Sequence, residues 1–338
     1  MGIVLHSLSV SNVLRSQNHS ISFYYCILKR FNSSLCSREQ LLEDILFVYN
    51  DLTTTTRWSM PHDQLESILL QISSDEYHLS SLRYLLIPES HFSNYLAEVL
   101  VSSYPDIMFR KSRRHRGCIE VLLPHKDDVV VYTGLSRFLY RLSCGSLPQN
   151  DYRILNQSSI EAFYKSLLGR RVRRLYSIEL DESLNFIPKS LLLEKLSPIL
   201  LDRSVYRLIS ELMELNILHH DKYHPPSPYG IPTLGEICRV LFNLFLAESF
   251  DPCFARKYPS IEFERYYDTV FLFIRDDEQE QAFFGIEDML ADLELINGYI
   301  KSIDTLGCMY SRIGLVKKVL RIAPDGTLER GEDRFDCI

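Results

Sequence analysis

The sequence predicts an α+β fold, an antiparallel sheet with packed helices behind a mostly helical N-terminal region, and three observations carry this. Apolar residues recur at helical spacing through the first third, at Leu41, Leu42, Ile45, Leu46 and Tyr49 and again at Leu65, Ile68, Leu69 and Ile72. Short β-like runs begin only after Cys118. Two of these runs, Ile261 to Ile274 and Val316 to Arg330, turn back on themselves, as antiparallel hairpins do.

Taken in order, Tyr95 to Val101 continues the helical pattern. Cys118 to Tyr132 reads as a hairpin, with Ile119 to Leu123 as one strand, Pro124 and a polar turn, and Val129 to Tyr132 as the other. A loop at Gly145 to Pro148 precedes a helix at Ser159 to Leu168 and a strand at Arg174 to Leu180 that ends in acidic residues. Ser190 to Leu218 is helical, His224 to Pro232 is a proline-rich turn, and Gly235 to Ser249 is helical. The hairpin Ile261 to Ile274 turns at Asp268 and Thr269. An amphipathic helix at Glu280 to Leu295 follows, and the last hairpin turns at Pro324, Asp325 and Gly326.

At 338 residues and 46% hydrophobic content the chain can bury a sizeable core. The net charge of -7 excludes indiscriminate coating of nucleic acid, and leaves two basic patches, Arg110 to Arg116 and Arg170 to Arg174. Eight cysteines without a CxxC pair indicate reduced, buried thiols rather than a zinc site or disulfide framework. The apolar stretch Ile231 to Ala247 is interrupted by Glu236, Arg239 and Asn243, so no membrane span and a soluble protein are expected. The first acidic residue is Glu39, after a Ser-rich stretch with Arg15, Lys29, Arg30 and Arg38. That composition suits an organelle transit peptide, and equally the arm of a protein made inside the organelle. Gly2 is followed by His6 where a myristoylation signal wants Ser or Thr.

The segment beginning Tyr229-Gly-Ile-Pro-Thr-Leu-Gly and reaching Asn243 resembles the primer- and template-gripping motif of group II intron and related reverse transcriptases, with Gly230, Ile231, Pro232, Gly235 and Asn243 in place. Downstream, Tyr266-Tyr-Asp-Thr269 looks like the family's Y-A-D-D hairpin. Leu293 to Ser302 is similar to its lysine-bearing segment, with Lys301 as that lysine. Ile178 to Pro188 stands at its first palm strand, and Arg113 to Leu123 resembles its fingers segment.

The resemblance covers roughly Arg110 to Lys301 and implies a right-hand polymerase palm and fingers with a reduced thumb. The resemblance places fingers and palm at 110–305, while composition and periodicity divide the rest into 1–40 (an arm, possibly targeting), 41–109 (helical) and 306–338 (a short C-terminal hairpin and tail). In this family carboxylates from two neighbouring strands hold two Mg²⁺ ions about 4 Å apart for nucleotidyl transfer. An ungapped match puts those carboxylates at Glu179 and Asp268, while a two-residue slip, which keeps the same strand face, puts Asp181 in place of Glu179. Lys301 would approach the incoming deoxynucleoside triphosphate. Gly230, Pro232, Gly235, Asn243, Arg114 and Arg116 would contact nucleotide or template, and the partner would be RNA or an RNA/DNA hybrid.

This sequence departs from the family at the site itself. Glutamate replaces aspartate at 179, Thr269 replaces the second hairpin aspartate, and Thr233, Leu234, Glu236 and Arg239 alter the glycine-rich motif. Mg²⁺ demands near-ideal octahedral geometry, which the longer Glu179 side chain disturbs. The expectation is an organellar reverse-transcriptase-like protein, in a mitochondrion or alternatively a plastid, with activity weakened or lost. The alternatives are a non-catalytic, maturase-type RNA-binding factor or a decaying intron-derived reading frame. Outside this context Asp268 would be a turn residue and Lys301 an exposed helix-end lysine, while His219, His220 and His224 are read as loop histidines rather than ligands.

Overall fold

The computed structural model describes residues 37–56, 58–104, 107–111, 115–146, 165, 167–180, 186–198, 200, 202–266, 269–277, 279, 289–290, 292–293, 299–303, 306–310 and 317–330. Its helices are α1 (Ser37–Thr55), α2 (His62–Ser73), α3 (Asn94–Ser103), α4 (Asp128–Ser146), α5 (Lys189–Leu196), α6 (Arg203–Met213), α7 (Glu236–Glu248) and α8 (Phe250–Lys257). The strands are β1 (Leu82–Pro88), β2 (Arg110–Lys111), β3 (Cys118–Leu123), β4 (Arg174–Glu179), β5 (Ile217–His219), β6 (Lys222–His224), β7 (Glu262–Tyr266), β8 (Thr269–Ile274), β9 (Tyr299–Ile303), β10 (Leu306–Tyr310), β11 (Lys317–Ile322) and β12 (Leu328–Arg330). Helices and largely antiparallel sheets thus mix as expected, in two compact units.

The first unit comprises Met1–Leu142, Leu196–Ser227 and Pro232–Val240. Leu65, Ile68, Leu69 and Ile72 put the buried stripe of α2 at helical spacing. Asp202 caps α6 by accepting from the N–H groups of Ser204 and Val205 at 2.8 and 3.3 Å, and its other oxygen accepts from the N–H of Arg38 in the first turn of α1. One carboxylate therefore satisfies otherwise unpaired donors on two helices. The sheet runs β2-β3-β1-β5-β6, with β1 antiparallel to β3 and parallel to β5.

Two expectations are corrected here. Val129 to Tyr132 is not the second strand of a hairpin but the start of α4. All four residues are buried, and Leu135, Phe138 and Leu139 extend the burial at helical spacing. The few tenths of a kcal/mol that β-branched residues lose in a helix are outweighed by roughly 1.5–3 kcal/mol of burial per side chain. The partner of β3 is instead β1, a strand inside the region expected to be helical. The expected helix Ser190 to Leu218 is two helices and a strand, because Pro198 falls between α5 and α6 and Ile217 pairs with Leu82.

The second unit comprises Ser143–Lys195, Pro228–Ile231 and Leu241–Ile338, so α7 begins in one unit and ends in the other. Its four-stranded antiparallel sheet runs β7-β8-β4-β9, and a three-stranded sheet runs β10-β11-β12. Every residue from Val270 to Ile274 is buried, which explains why the central strand β8 reads as a continuous apolar run. The β7–β8 hairpin forms as expected, but Thr269 already belongs to β8 and pairs with Tyr266. Gly326 sits in the β11–β12 turn at φ +82°, where a Cβ would come within 3.0 Å of the Val172 carbonyl oxygen.

The N-terminal arm lies outside the described residues, as do most of the expected helices Ser159 to Leu168 and Glu280 to Leu295. Among the described residues no helix is long and apolar enough to cross a membrane. Free thiols are described at Cys118, Cys238 and Cys253, of which Cys238 is fully buried and the other two are partly exposed.

Candidate functional site

Strand β4 lies between β8 and β9, and its last residue, Glu179, stands opposite Thr269 on one side and Tyr299 on the other. Since Thr269 also pairs with Tyr266, one row crosses all four strands as Tyr266, Thr269, Glu179 and Tyr299. Lys301 stands opposite Ser177, two residues back from that row, so the sheet brings Glu179 and Lys301 onto neighbouring strands. Lys301 belongs to a strand and not to a helix end. Asp268 and Asp181 lie outside the described residues.

The row contains one carboxylate residue. Among the described residues no three His, Cys, Asp or Glu side chains are grouped so as to hold a metal ion. A pair of Mg²⁺ ions needs several converging oxygen ligands, and the described residues alone do not supply them.

Next to the row, Arg265 of β7 is buried and tied to two helices. Its Nε and Nη2 donate to Asp251 Oδ1 and Oδ2 at 2.8 and 2.7 Å, and its Nη1 donates to Asn243 Oδ1 at 2.8 Å. A buried guanidinium is tolerated because several of its donors are matched. Asn243, expected to contact nucleotide or template, thus has its side-chain oxygen committed to Arg265. Arg265 and Asp251 were not candidates from sequence, where the signal was an arginine in a hairpin strand that also carries Glu262 and Glu264.

In the second unit Gly230 adopts φ +84° and donates its N–H to the Ile187 carbonyl at 2.9 Å. A bridge between Pro188 and Tyr229 and a bond from the Lys189 N–H to the Pro228 carbonyl at 3.0 Å complete this stitch between loops. Phe186 and Tyr229 are exposed aromatic residues beside it. In the first unit Pro232 leads to Gly235, at φ +60°, which opens α7. Leu234, one of the departures from the family motif, is buried and lines a small cavity with Ile107, Leu122 and Val129, so its side chain serves packing.

The two basic patches differ. Arg116 is exposed in the turn before β3, and Arg114 lies outside the described residues. Arg170, in contrast, pairs with Glu262 and, at 2.6 Å, with Glu264, and covers the Phe273 ring. Arg173 pairs with Asp277 and holds that carboxyl below the usual carboxylate range. Much of the second patch is therefore internally neutralised.

The histidines expected in a loop are in a hairpin: His219 ends β5, His224 ends β6, and His220 is in the turn between them. Their signal in the sequence was hidden by the helical reading of the preceding segment.

No protein-family model matches the chain. The chain is similar to an uncharacterized 39 kDa protein in mitochondrial S-1 and S-2 DNA of Zea mays, at 26% identity over 213 residues, covering 60% of this chain. The match spans 58% of that relative's length. Among solved structures, a Cas6-RT-Cas1–Cas2 complex matches at 10% identity and a TM-score of 0.44, over 88% of this chain and 36% of the other. A partial Cas6-RT-Cas1–Cas2 complex matches at 13% and 0.43, over 77% and 42%. Apo telomerase from Candida tropicalis, truncated from its C-terminal domain, matches at 11% and 0.42, over 75% and 57%.

Proposed function

We propose that this chain is a reverse-transcriptase-like protein that binds RNA or an RNA/DNA hybrid and whose polymerase activity is weakened or lost. The observation that carries this reading is the row Tyr266, Thr269, Glu179 and Tyr299 across an antiparallel sheet, which joins three of the motif segments read from sequence. In this reading the second unit is the palm, and the sheet of the first unit belongs to the fingers. Lys301 meets the triphosphate, Arg114 and Arg116 hold template phosphates, and Gly230 and Gly235 shape the loop that approaches the nucleotide.

Mg²⁺, held by Asp268 together with Glu179 or Asp181, would supply charge neutralisation at the triphosphate and a lowered pKa for the primer hydroxyl. Thr269 in the row favours weakened or lost activity, because it replaces a charge with a hydroxyl beside the position of Asp268. The same observation favours, as a second reading, a non-catalytic maturase-type factor that binds structured RNA by shape and charge. Similarity to a protein in mitochondrial DNA supports a mitochondrial rather than a plastid origin.

The test is extension of a DNA primer on an RNA template by the full chain in Mg²⁺ or Mn²⁺, beside Asp268→Ala and a salt series of RNA filter binding. Extension lost in Asp268→Ala establishes the polymerase. Salt-sensitive RNA binding without extension establishes the non-catalytic relative. Neither signal overturns both readings and leaves a decaying reading frame.

A further inference from the structure

In the first unit, the register of the sheet β2-β3-β1-β5-β6 brings an exposed aromatic ring and an exposed cation to one face. Tyr223 of β6 stands directly opposite Leu218 of β5, Leu218 opposite Arg83 of β1, and Arg83 opposite Leu123 of β3. Directly paired residues project from the same side of a sheet, so Tyr223 and Arg83 share a face with Leu218 between them. Tyr223 is 67% exposed and Arg83 is exposed, whereas Leu218 is half-buried and Leu123 is buried. The face is therefore open from β6 to β1 and closes at β3. Neighbouring strands lie about 4.8 Å apart, which puts Tyr223 and Arg83, two strands apart, at a separation of roughly 10 Å along the row.

The guanidinium of Arg83 has no hydrogen-bond or ion-pair partner among the described residues. Asp221, the one carboxylate between Ile217 and His224, belongs to the turn beyond the row. The row thus offers an uncommitted positive charge beside a bare ring. The open part holds one aliphatic side chain, Leu218, which is too little apolar surface for the core of a protein–protein interface. Single-stranded nucleic acid fits it better, because any unpaired base has a face to stack on tyrosine and the backbone carries phosphate within reach of the same nucleotide. A planar guanidinium matches phosphate oxygens by paired N–H donors.

We propose that Tyr223 and Arg83 form a contact surface for single-stranded nucleic acid on the first unit, in which an unpaired base stacks on the Tyr223 ring and Arg83 holds a phosphate of the same strand. The inference rests on the reading of this chain as an RNA-binding protein, and adds to it two residues that belong to none of the motif segments read from sequence.

The experiment is fluorescence anisotropy of a short labelled oligouridylate with the full chain across a salt series, beside duplex RNA. Tyr223→Ala is expected to lower affinity for the single strand roughly tenfold at every salt concentration, leaving the log–log slope unchanged, because stacking releases no counterions. Tyr223→Phe keeps the parental affinity and Tyr223→Leu does not, which separates an aromatic face from apolar bulk. Arg83→Ala lowers the slope by about one unit. Duplex RNA, whose bases are already stacked on one another, binds Tyr223→Ala as it binds the parent. Urea midpoints equal to the parent's show that these surface variants remain folded. A parent that binds no RNA overturns the RNA-binding reading and this surface with it. A parent that binds, with an affinity and slope that Tyr223→Ala and Arg83→Ala leave unchanged, overturns the surface alone, as does a Tyr223→Leu variant that binds as well as Tyr223→Phe.

Discussion

Arg265 Nη1 donates to Asn243 Oδ1 at 2.8 Å, which fixes the strand beside the Glu179 row to helix α7 while Asp251 clasps the remaining edge of the same guanidinium. Removing the acceptor takes one hydrogen bond from a buried, charged donor. Asn243→Leu is expected to destabilise the protein by about 1–3 kcal/mol. Arg265→Lys does not preserve the site, because an ammonium cannot make the bidentate pair with Asp251 together with the third bond. Urea unfolding of both single variants and their double variant measures the coupling. Effects that simply add, within about 0.5 kcal/mol, sink the claim that the two side chains act as one brace.

A pH effect follows from Asp44 in α1. Its carboxylate is fully buried and accepts from Arg137 Nε at 2.8 Å and from Arg141, while Oδ2 has no partner among the described residues. Burial pushes this carboxyl up to about 6 from 3.8, against the opposing pull of Arg141 and Arg137. A folded pKa above the unfolded one contributes stability that is full below pH 3.8 and is lost as pH rises through about 6. The loss is at most about 3 kcal/mol. Buried Asp128 is shifted in the same direction, so the measurement is a difference. Urea midpoints near pH 4 and pH 7 are expected to fall less in Asp44→Asn than in the parent, and equal falls contradict the assignment.

The parts of the fold legible in the sequence were those set by local pattern. Strand β4, the β7–β8 hairpin, helix α7 and the β11–β12 hairpin each announce themselves through apolar periodicity or turn residues within a short window. What stayed hidden depends on distant partners. Strand β1 is an apolar run of ambiguous period until Leu85 meets Val121. Val129 to Val131 carry a β propensity that only burial on α4 overrides. The site divides likewise: the motif residues could be named in order, but the contacts from Arg265 back to Asn243 and Asp251, and from His219 to Tyr84, arise from packing.

The contrast between the basic patches gives a prediction about RNA binding. Deleting a cation that neutralises one phosphate lowers the salt dependence of affinity by about one unit in the log–log slope. Arg116→Ala is expected to do so, since Arg116 is exposed. Arg170→Ala is expected to leave the slope unchanged and instead lower stability, because Arg170 is engaged with Glu262, Glu264 and the Phe273 ring. Filter binding across a salt series distinguishes them. A slope that falls with Arg170→Ala and not with Arg116→Ala reverses the assignment of the two patches.

The row across the β7-β8-β4-β9 sheet sets the last prediction. Glu179 faces Thr269 across the ladder, so the strand register that would present two carboxylates presents one. If weakened polymerase activity persists, shortening Glu179 and returning a charge at Thr269 should raise it together. Glu179→Asp with Thr269→Asp is expected to increase Mn²⁺-dependent primer extension at least about tenfold, equivalent to about 1.4 kcal/mol of barrier. Asp181→Ala decides between the two alignments: with Glu179 in the metal-holding role it leaves extension near the parental level, and with the two-residue slip it abolishes extension while Glu179→Ala is tolerated. Extension indifferent to all three positions would remove the row from the reaction and leave the sheet a purely structural part of an RNA-binding protein.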